Sequence, residues 1–523
     1  MARKSGGFGT RPDVEYFHGD MDYIRSYHDH LAAERPDIFS IDGVTWNDLD
    51  MDRVFRCLNQ GRSTSGEQVL YHWLRAPAVD GAEWRRRRGL VTLMEEDEPR
   101  CRAEAILARL GCVRRAGPCV RFAPRGNGNA RLALCALLAL LLPLSFIGAA
   151  LLGTNGVLLP LCAVIVNSLT HELLKRRLAG ELDAVNYMVS LARAARRFRK
   201  LGDEWLDQHL TPAYDALTRV KRALWLGAVL PAEASGDPKD LLLTVTLLDL
   251  IAFERLRRVF LRQHDDVLAL HDALGRLDAA ISVASWRRTL PHWCEPRLDF
   301  APDALRAVEA QDIVHPLLDR PVPNDLRLSR PLLVTGSNAS GKSTYLRAAA
   351  LCALLAQAVC TASARSYSAP ACCVYTSMTL SDDLISGESY YMVEMRAIKR
   401  ILDAANRGQP VLCAVDEVLR GTNTVERIAA SCEILRALDR AGALCLAATH
   451  DLELCGLLAP RYENVHFEER VEDGRMSFDY RLRSGPAETR NAIDLLSLIG
   501  LDQSIVSAAH ARASRYLETG LWS

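Results

Sequence analysis

Between Leu132 and Thr170 the chain carries no charged side chain. The first part, Leu132 to Leu152, is almost wholly apolar. At ~1.5 Å rise per residue, about 21 helical residues span about 30 Å, the thickness of a bilayer core. About a dozen Leu, Ile and Phe residues there contribute on the order of −5 kcal/mol to insertion, and Pro143 is tolerable in such a helix. The turn Gly153-Thr154-Asn155-Gly156 follows, then a second apolar run, Val157 to Leu169, interrupted by Asn167. The pattern predicts two helices joined by a tight hairpin over 132–170. Arg114, Arg115, Arg121, Arg125 and Arg131 flank one outer end, and Lys175, Arg176 and Arg177 the other. If the hairpin spans a membrane, positive charge at both ends places both ends in the cytoplasm. The alternative is a hairpin buried inside a large helical core.

Farther along, the period changes. Pro331 to Val334, Val411 to Val415 and Ala443 to Ala448 are short continuous apolar runs, suited to strands buried on both faces. Tyr345 to Val359 reads as a helix, and a second long helical pattern ends near Asn406. Between the first strand and its helix stands Gly336-Ser-Asn338-Ala-Ser-Gly341-Lys342-Ser343-Thr344, a complete phosphate-binding loop. Its glycines let backbone N–H groups close on phosphates, and the helix N-terminus favours negative charge there. Lys342 is placed to reach the β- and γ-phosphates of ATP, and Ser343 to bind Mg2+.

A nucleotide site also needs an acidic partner on a neighbouring strand. The second apolar run ends in Asp416-Glu417. Asp416 suits the Mg2+ shell, and Glu417 suits orienting or deprotonating the attacking water. The third run ends at Thr449-His450-Asp451. A His at the carboxyl end of a strand in an open α/β sheet lies where ligands bind, which makes His450 a candidate γ-phosphate sensor. Ser386, Gly387 and Ser389 precede the helical pattern that ends near Asn406, at another helix start. Alone they are also compatible with an ordinary helix cap.

Bulk properties add limits. With 523 residues the chain holds roughly two to four domains. The 64 basic and 64 acidic side chains balance, so there is no global nucleic-acid footprint. Local clusters remain, such as Arg85-Arg86-Arg87-Arg88 and Arg193, Arg196, Arg197, Arg199 and Lys200; each is suited to phosphates, to acidic lipid, or simply to solvating a helix face. The 15 Cys contain no C-x-x-C pair and fall largely in apolar runs, as expected for reduced thiols. The polar start, Met1 to Gly7, does not read as a signal peptide.

The motifs together resemble the MutS family, the ATP-binding-cassette relatives known from DNA mismatch repair. The resemblance covers roughly 311–515: His315-Pro316, Pro323-Asn324-Asp325, the loop T-G-S-N-A-S-G-K-S-T-Y, then D-D-L-x-S-G-x-S-x-x-M-V-E-M, D-E-V-L-R-G-T-N-T, A-T-H-D, and a closing stretch from Phe478 to Gly500. Residues 46–77 look like the start of the family's helical core. The resemblance implies an α/β P-loop ATPase domain preceded by an all-α core and lever domain, here carrying the apolar hairpin. It implies ATP and Mg2+ sandwiched across a homodimer, with Ser389 of one copy capping the nucleotide of the other. The expected segments are 1–45, a helical domain at 46–310, the ATPase domain at 311–490 and a dimerisation element at 491–523.

Departures accompany the resemblance. The family commonly has Gly at the positions of Ser340 and Leu419, Thr at that of Tyr390, and an aromatic residue at that of Val322. The only F-x-E string, Phe467-Glu468-Glu469, lies inside the ATPase part, so a mismatch-reading Phe wedge of the family's kind is not expected; nor is its separate domain, with about 45 residues ahead of the core-like segment. No nuclease-like tail is expected after 516 either. Two functions follow. One is DNA binding in a mismatch repair or recombination-related role. The other is a mechanochemical ATPase, cytoplasmic but anchored in the inner membrane of a bacterium, acting on a protein or membrane partner. A purely scaffolding role is disfavoured, because Lys342, Asp416, Glu417 and His450 occur together.

Overall fold

The computed structural model of the chain describes residues 7–12, 16, 19–113, 128–227, 238–301, 304–337, 340–378, 390–419, 422–472, 475–487, 493 and 501–519. They fall into two compact units. One comprises 1–38, 58–73 and 87–288, the other 39–57, 74–86 and 289–523. The segment 46–310, expected as one helical domain, thus contributes to both. The helices are α1 (Asp20–Glu34), α2 (Gly43–Asp48), α3 (Met51–Leu58), α4 (Thr64–Arg75), α5 (Gly81–Glu95), α6 (Asp97–Leu107), α7 (Gly128–Leu152), α8 (Leu158–Leu201), α9 (Glu204–Leu226), α10 (Pro238–Thr246), α11 (Leu248–Arg262), α12 (His264–Arg287), α13 (Lys342–Ala358), α14 (Tyr390–Asn406), α15 (Thr424–Arg440), α16 (Glu453–Leu458) and a carboxy-terminal helix, Gln503–Thr519. The strands are β1 (Arg297–Asp299), β2 (Val308–Ile313), β3 (Asn324–Leu328), β4 (Leu332–Thr335), β5 (Ser366–Pro370), β6 (Cys373–Ser377), β7 (Val411–Asp416), β8 (Leu444–Ala448), β9 (Glu463–Glu472) and β10 (Arg475–Ser484).

The helical unit is centred on α12. Leu274, Leu277, Ile281, Val283 and Trp286 of that helix are buried. Asp278, also buried, accepts from the backbone N–H groups of Arg62 and Ser63 and from the Ser63 hydroxyl at 2.5 Å, fixing the turn into α4. Burial pushes the Asp278 carboxyl up to about 6. The hairpin expected over 132–170 is present as α7, a 3₁₀ turn at Gly153–Gly156, and α8. Helix α8 does not stop with the apolar run but continues to Leu201, 44 residues in all, because Lys175, Arg176 and Arg177 are good helix formers. Asn167, the polar break in the second run, is buried and donates to Leu138 O at 3.1 Å and Val245 O at 2.8 Å. Both apolar helices are long and apolar enough to cross a membrane, yet only 11% and 17% of their most apolar stretches are buried. The described residues therefore do not enclose the hairpin in a helical core.

The α/β unit holds two sheets. The larger has the order β10-β9-β4-β8-β7-β6, parallel except for the β9–β10 hairpin. Strands β4, β7 and β8 are buried at every position, which is why they read as unbroken apolar runs without alternation. Val334 and Asp416 both pair with Ala448. The loop after β4, the pair Asp416-Glu417 and the sequence Thr449-His450 consequently leave the sheet at one level, the usual location of ligand sites in such sheets. The smaller sheet has the order β1-β5-β2-β3.

An early segment is part of this unit. Asp48 of α2 is 2% exposed and accepts from Thr376 Oγ1 at 2.7 Å and Met378 N at 3.0 Å, at the end of β6. Arg400 of α14 pairs with Asp42 and donates to Thr376 O. Burial pulls the Arg400 guanidinium down to about 10, so it stays charged at neutral pH. Asp48→Ala leaves these buried donors without their carboxylate and is expected to destabilise the α/β unit by about 2–4 kcal/mol. A lowered midpoint in chemical denaturation checks this, and an unchanged midpoint would remove Asp48 from the role.

Candidate active site

Strand β4 delivers the phosphate loop to the edge of the sheet. Gly336 has φ 131° and Gly341 φ 107°. A β-carbon on Gly336 would also meet the carbonyl oxygen of Phe467 at 2.7 Å, so the loop closes only with glycine there. Helix α13 begins at Lys342, earlier than the apolar pattern suggests, because Gly341 stands as its N-cap and Lys342-Ser343-Thr344 form its first turn. Lys342 is 5% exposed, and its Nζ donates to Gly336 O at 2.6 Å and Ser337 O at 2.8 Å. Ser337 donates in turn to Glu469, a buried carboxylate.

The acidic partners arrive from the neighbouring strands. Ser343 Oγ donates to Asp416 Oδ2 at 2.5 Å. Two hard oxygen ligands thus converge from the loop and from β7, a donor set that fits Mg2+, which takes one or two protein oxygens and keeps the rest for phosphate and water. Glu417 has φ 58°, and its N–H is held by Ala448 O at 2.9 Å. Its carboxylate lies 3.3 Å from His450 Nδ1. Arg427 grips Asp451 through two bonds, at 2.6 and 3.0 Å, next to His450.

A cavity of about 420 Å3 is lined among others by Ser337, Lys342, Ser343, Thr344 and Glu417; Asp416 and His450 connect to it through Ser343 and Glu417. Val322 lines it too, and so does Tyr480, to which sequence reading gave no role. Tyr480 gets there because the β9–β10 register shifts between Phe478 and Leu482 and Tyr480 takes φ 53°, while Asn324 bonds the backbone of Tyr480 and Leu482. His315 also lines the cavity, and burial lowers it to about 4, so it is neutral at physiological pH. Of the expected site residues, Gly336, Gly341, Lys342, Ser343, Thr344, Asp416, Glu417 and His450 come together here. Asn338 and Ser389, with Ser386, Gly387, Arg420 and Gly421, lie outside the described residues.

The family model MutS domain V matches residues 332–517. This carboxy-terminal part of the chain is similar to MutS domain V. The chain's mixed α/β sheets and helical amino-terminal region fit a MutS-like fold. The DNA mismatch repair protein MutS of Thermus aquaticus is 39% identical over 202 residues, covering 38% of this chain and 25% of that protein. DNA mismatch repair protein MutS 2 of Haloarcula marismortui is 33% identical over 308 residues, 53% of this chain and 31% of that protein. The match to these MutS proteins thus spans about a quarter to a third of their length.

The contact between Glu417 and His450 has a measurable consequence. The hydrogen bond to Glu417 raises the His450 imidazole above its ordinary value of 6.5, with burial opposing. A group whose folded pKa is raised contributes stability below its unfolded pKa and loses it as pH rises through the folded one. The His450 proton is therefore expected to titrate above 6.5 in NMR, and Glu417→Gln to lower that midpoint. A midpoint unmoved by Glu417→Gln would break the pair.

Proposed function

We propose that the α/β unit binds ATP with Mg2+ and hydrolyses it, in a site closed by a second copy of the chain. The reading is carried by one observation: Lys342, Ser343 and Glu417 line a single cavity, with Asp416 bonded to Ser343 and His450 3.3 Å from Glu417. Backbone N–H groups of the loop and the start of α13 bind the phosphates, and Lys342 turns from the loop carbonyls to the β- and γ-oxygens. Ser343 and Asp416 hold Mg2+, which when bound offsets charge on the phosphate oxygens. Glu417 orients the attacking water and accepts its proton. His450 donates toward the γ-phosphate. Tyr480 and Val322 border the space left for the base. Ser389 of the second copy caps the γ-phosphate, and the carboxy-terminal helix belongs to the dimerising element.

Two targets compete for the work. The relatives' names, DNA mismatch repair proteins, favour DNA and a repair-type role. A specific observation favours the other: Leu137, Leu144, Leu151, Leu158 and Ile165 of the hairpin are all more than half exposed. A membrane anchor would cover them, and Lys175, Arg176 and Arg177 at the base suit a cytoplasmic leaflet of a bacterial inner membrane. Membrane fractionation of expressed protein, then ATPase assay with and without DNA, separates the two. DNA-stimulated, salt-sensitive turnover from soluble protein supports repair. Turnover from the membrane fraction that ignores DNA supports the anchored machine. No turnover in either fraction would overturn the ATPase reading.

A further inference from the structure

The M-V-E-M sequence at the start of α14 contains a carboxylate that the site described above does not use. Glu394 is 7% exposed. Its Oε1 accepts from the backbone N–H of Leu419 at 2.5 Å. Leu419 lies in the loop that follows Asp416, and both Glu417 and Leu419 have left-handed backbone, φ 58° and 61°. Residues with a β-carbon avoid that region. Such a conformation persists only where the surroundings over-determine it.

Three ties do so here. Glu417 N–H is held by Ala448 O of β8, at 2.9 Å. Val418 O accepts from Ser431 Oγ of α15, at 3.1 Å. Leu419 N–H is held by Glu394 of α14. The first two partners belong to the sheet and its covering helix. The third belongs to the helix that starts directly after the segment holding Ser386, Gly387 and Ser389. Away from water such a hydrogen bond is electrostatically stronger than in solvent. Farther along α14, Arg400 ties the same helix to Asp42 and Thr376.

We propose that Glu394 is a positioning residue for Glu417. Through it, the place of α14 sets the backbone of the loop that carries Glu417. The proposal rests on the reading of Glu417 given above. Leu419 makes the dependence sharper than a glycine would, because glycine takes this φ without help.

The test compares Glu394→Met, which fills the space without an oxygen acceptor, with Glu394→Gln, whose amide oxygen still accepts from Leu419 N–H. In the full chain, Glu394→Met is expected to lower kcat about 10- to 100-fold. Affinity for a slowly hydrolysed ATP analogue should stay within about threefold. Glu394→Gln should keep kcat within about threefold of wild type, since it preserves the geometry. Adding Leu419→Gly to Glu394→Met should recover part of the lost kcat, which a merely structural role would not do. Should the Met variant fold poorly, Glu394→Asp serves, because its shorter side chain withdraws from Leu419 N–H. Wild-type kcat in the Met or Asp variant would overturn the proposal, as would equal losses in kcat and analogue affinity, or no recovery with Leu419→Gly. Glu417→Gln run in parallel keeps the two claims apart. If it turns over like wild type, the role of Glu417 has failed; if it is dead while Glu394→Met is normal, only the role of Glu394 has.

Discussion

Lys342→Ala is expected to remove measurable ATP binding while leaving the fold in place. The ammonium is nearly buried and sits within the loop, bonded to the carbonyls of Gly336 and Ser337. When phosphate enters, the same group exchanges two neutral acceptors for charged ones. Bonds to charged partners contribute roughly 1.5–3 kcal/mol each, and two of them amount to a loss of about 10²–10⁴ in affinity. The cost to the fold is expected to be small, because Lys342 lines the cavity and water entering its place can bond the carbonyls left behind. Titration with a fluorescent ATP analogue, beside circular dichroism, checks both halves. Unchanged affinity would end the assignment of the phosphate loop.

Glu417→Gln separates chemistry from binding. The amide keeps the size and a hydrogen-bond acceptor, but it cannot take a proton at neutral pH. General-base contributions are typically about 10²–10⁴-fold, so kcat should fall by that order. ATP affinity should stay within about threefold, because Lys342, Ser343 and Asp416 are untouched. The bound state should then accumulate, and with it the proposed nucleotide-bound dimer. Single-turnover kinetics with a filter-binding assay reads the two quantities apart. Wild-type turnover in this variant would take Glu417 out of the mechanism.

The parts of the site that were legible in the sequence are those whose chemistry resides in one residue type at a fixed spacing. Lys342, Ser343, Asp416, Glu417 and His450 follow strands buried on both faces, and continuous apolar runs announce such strands. Register then brings their ends to one level. What stayed illegible depends on backbone partners or on distant ones. Glu394 was visible as a letter in a motif, but its partner is the N–H of Leu419, which residue identity does not reveal. Asp48 meets Thr376 across 328 positions, and nothing local to Asp48 points there. Tyr480 reaches the cavity through a shifted register and a left-handed backbone, neither of which its neighbours signal. The hairpin was legible from its lack of charge. The continuation of α8 to Leu201 was not, because a polarity change on a helix surface does not mark a helix end.

The central claim is that two copies of the α/β unit close on nucleotide. The most direct measurement is the solution mass of full-length Glu417→Gln protein, in detergent if the hairpin requires it, with and without ATP and Mg2+. The account predicts the mass of one chain without nucleotide and of two with it, lost again on adding Lys342→Ala. A mass of one chain at saturating ATP would contradict it.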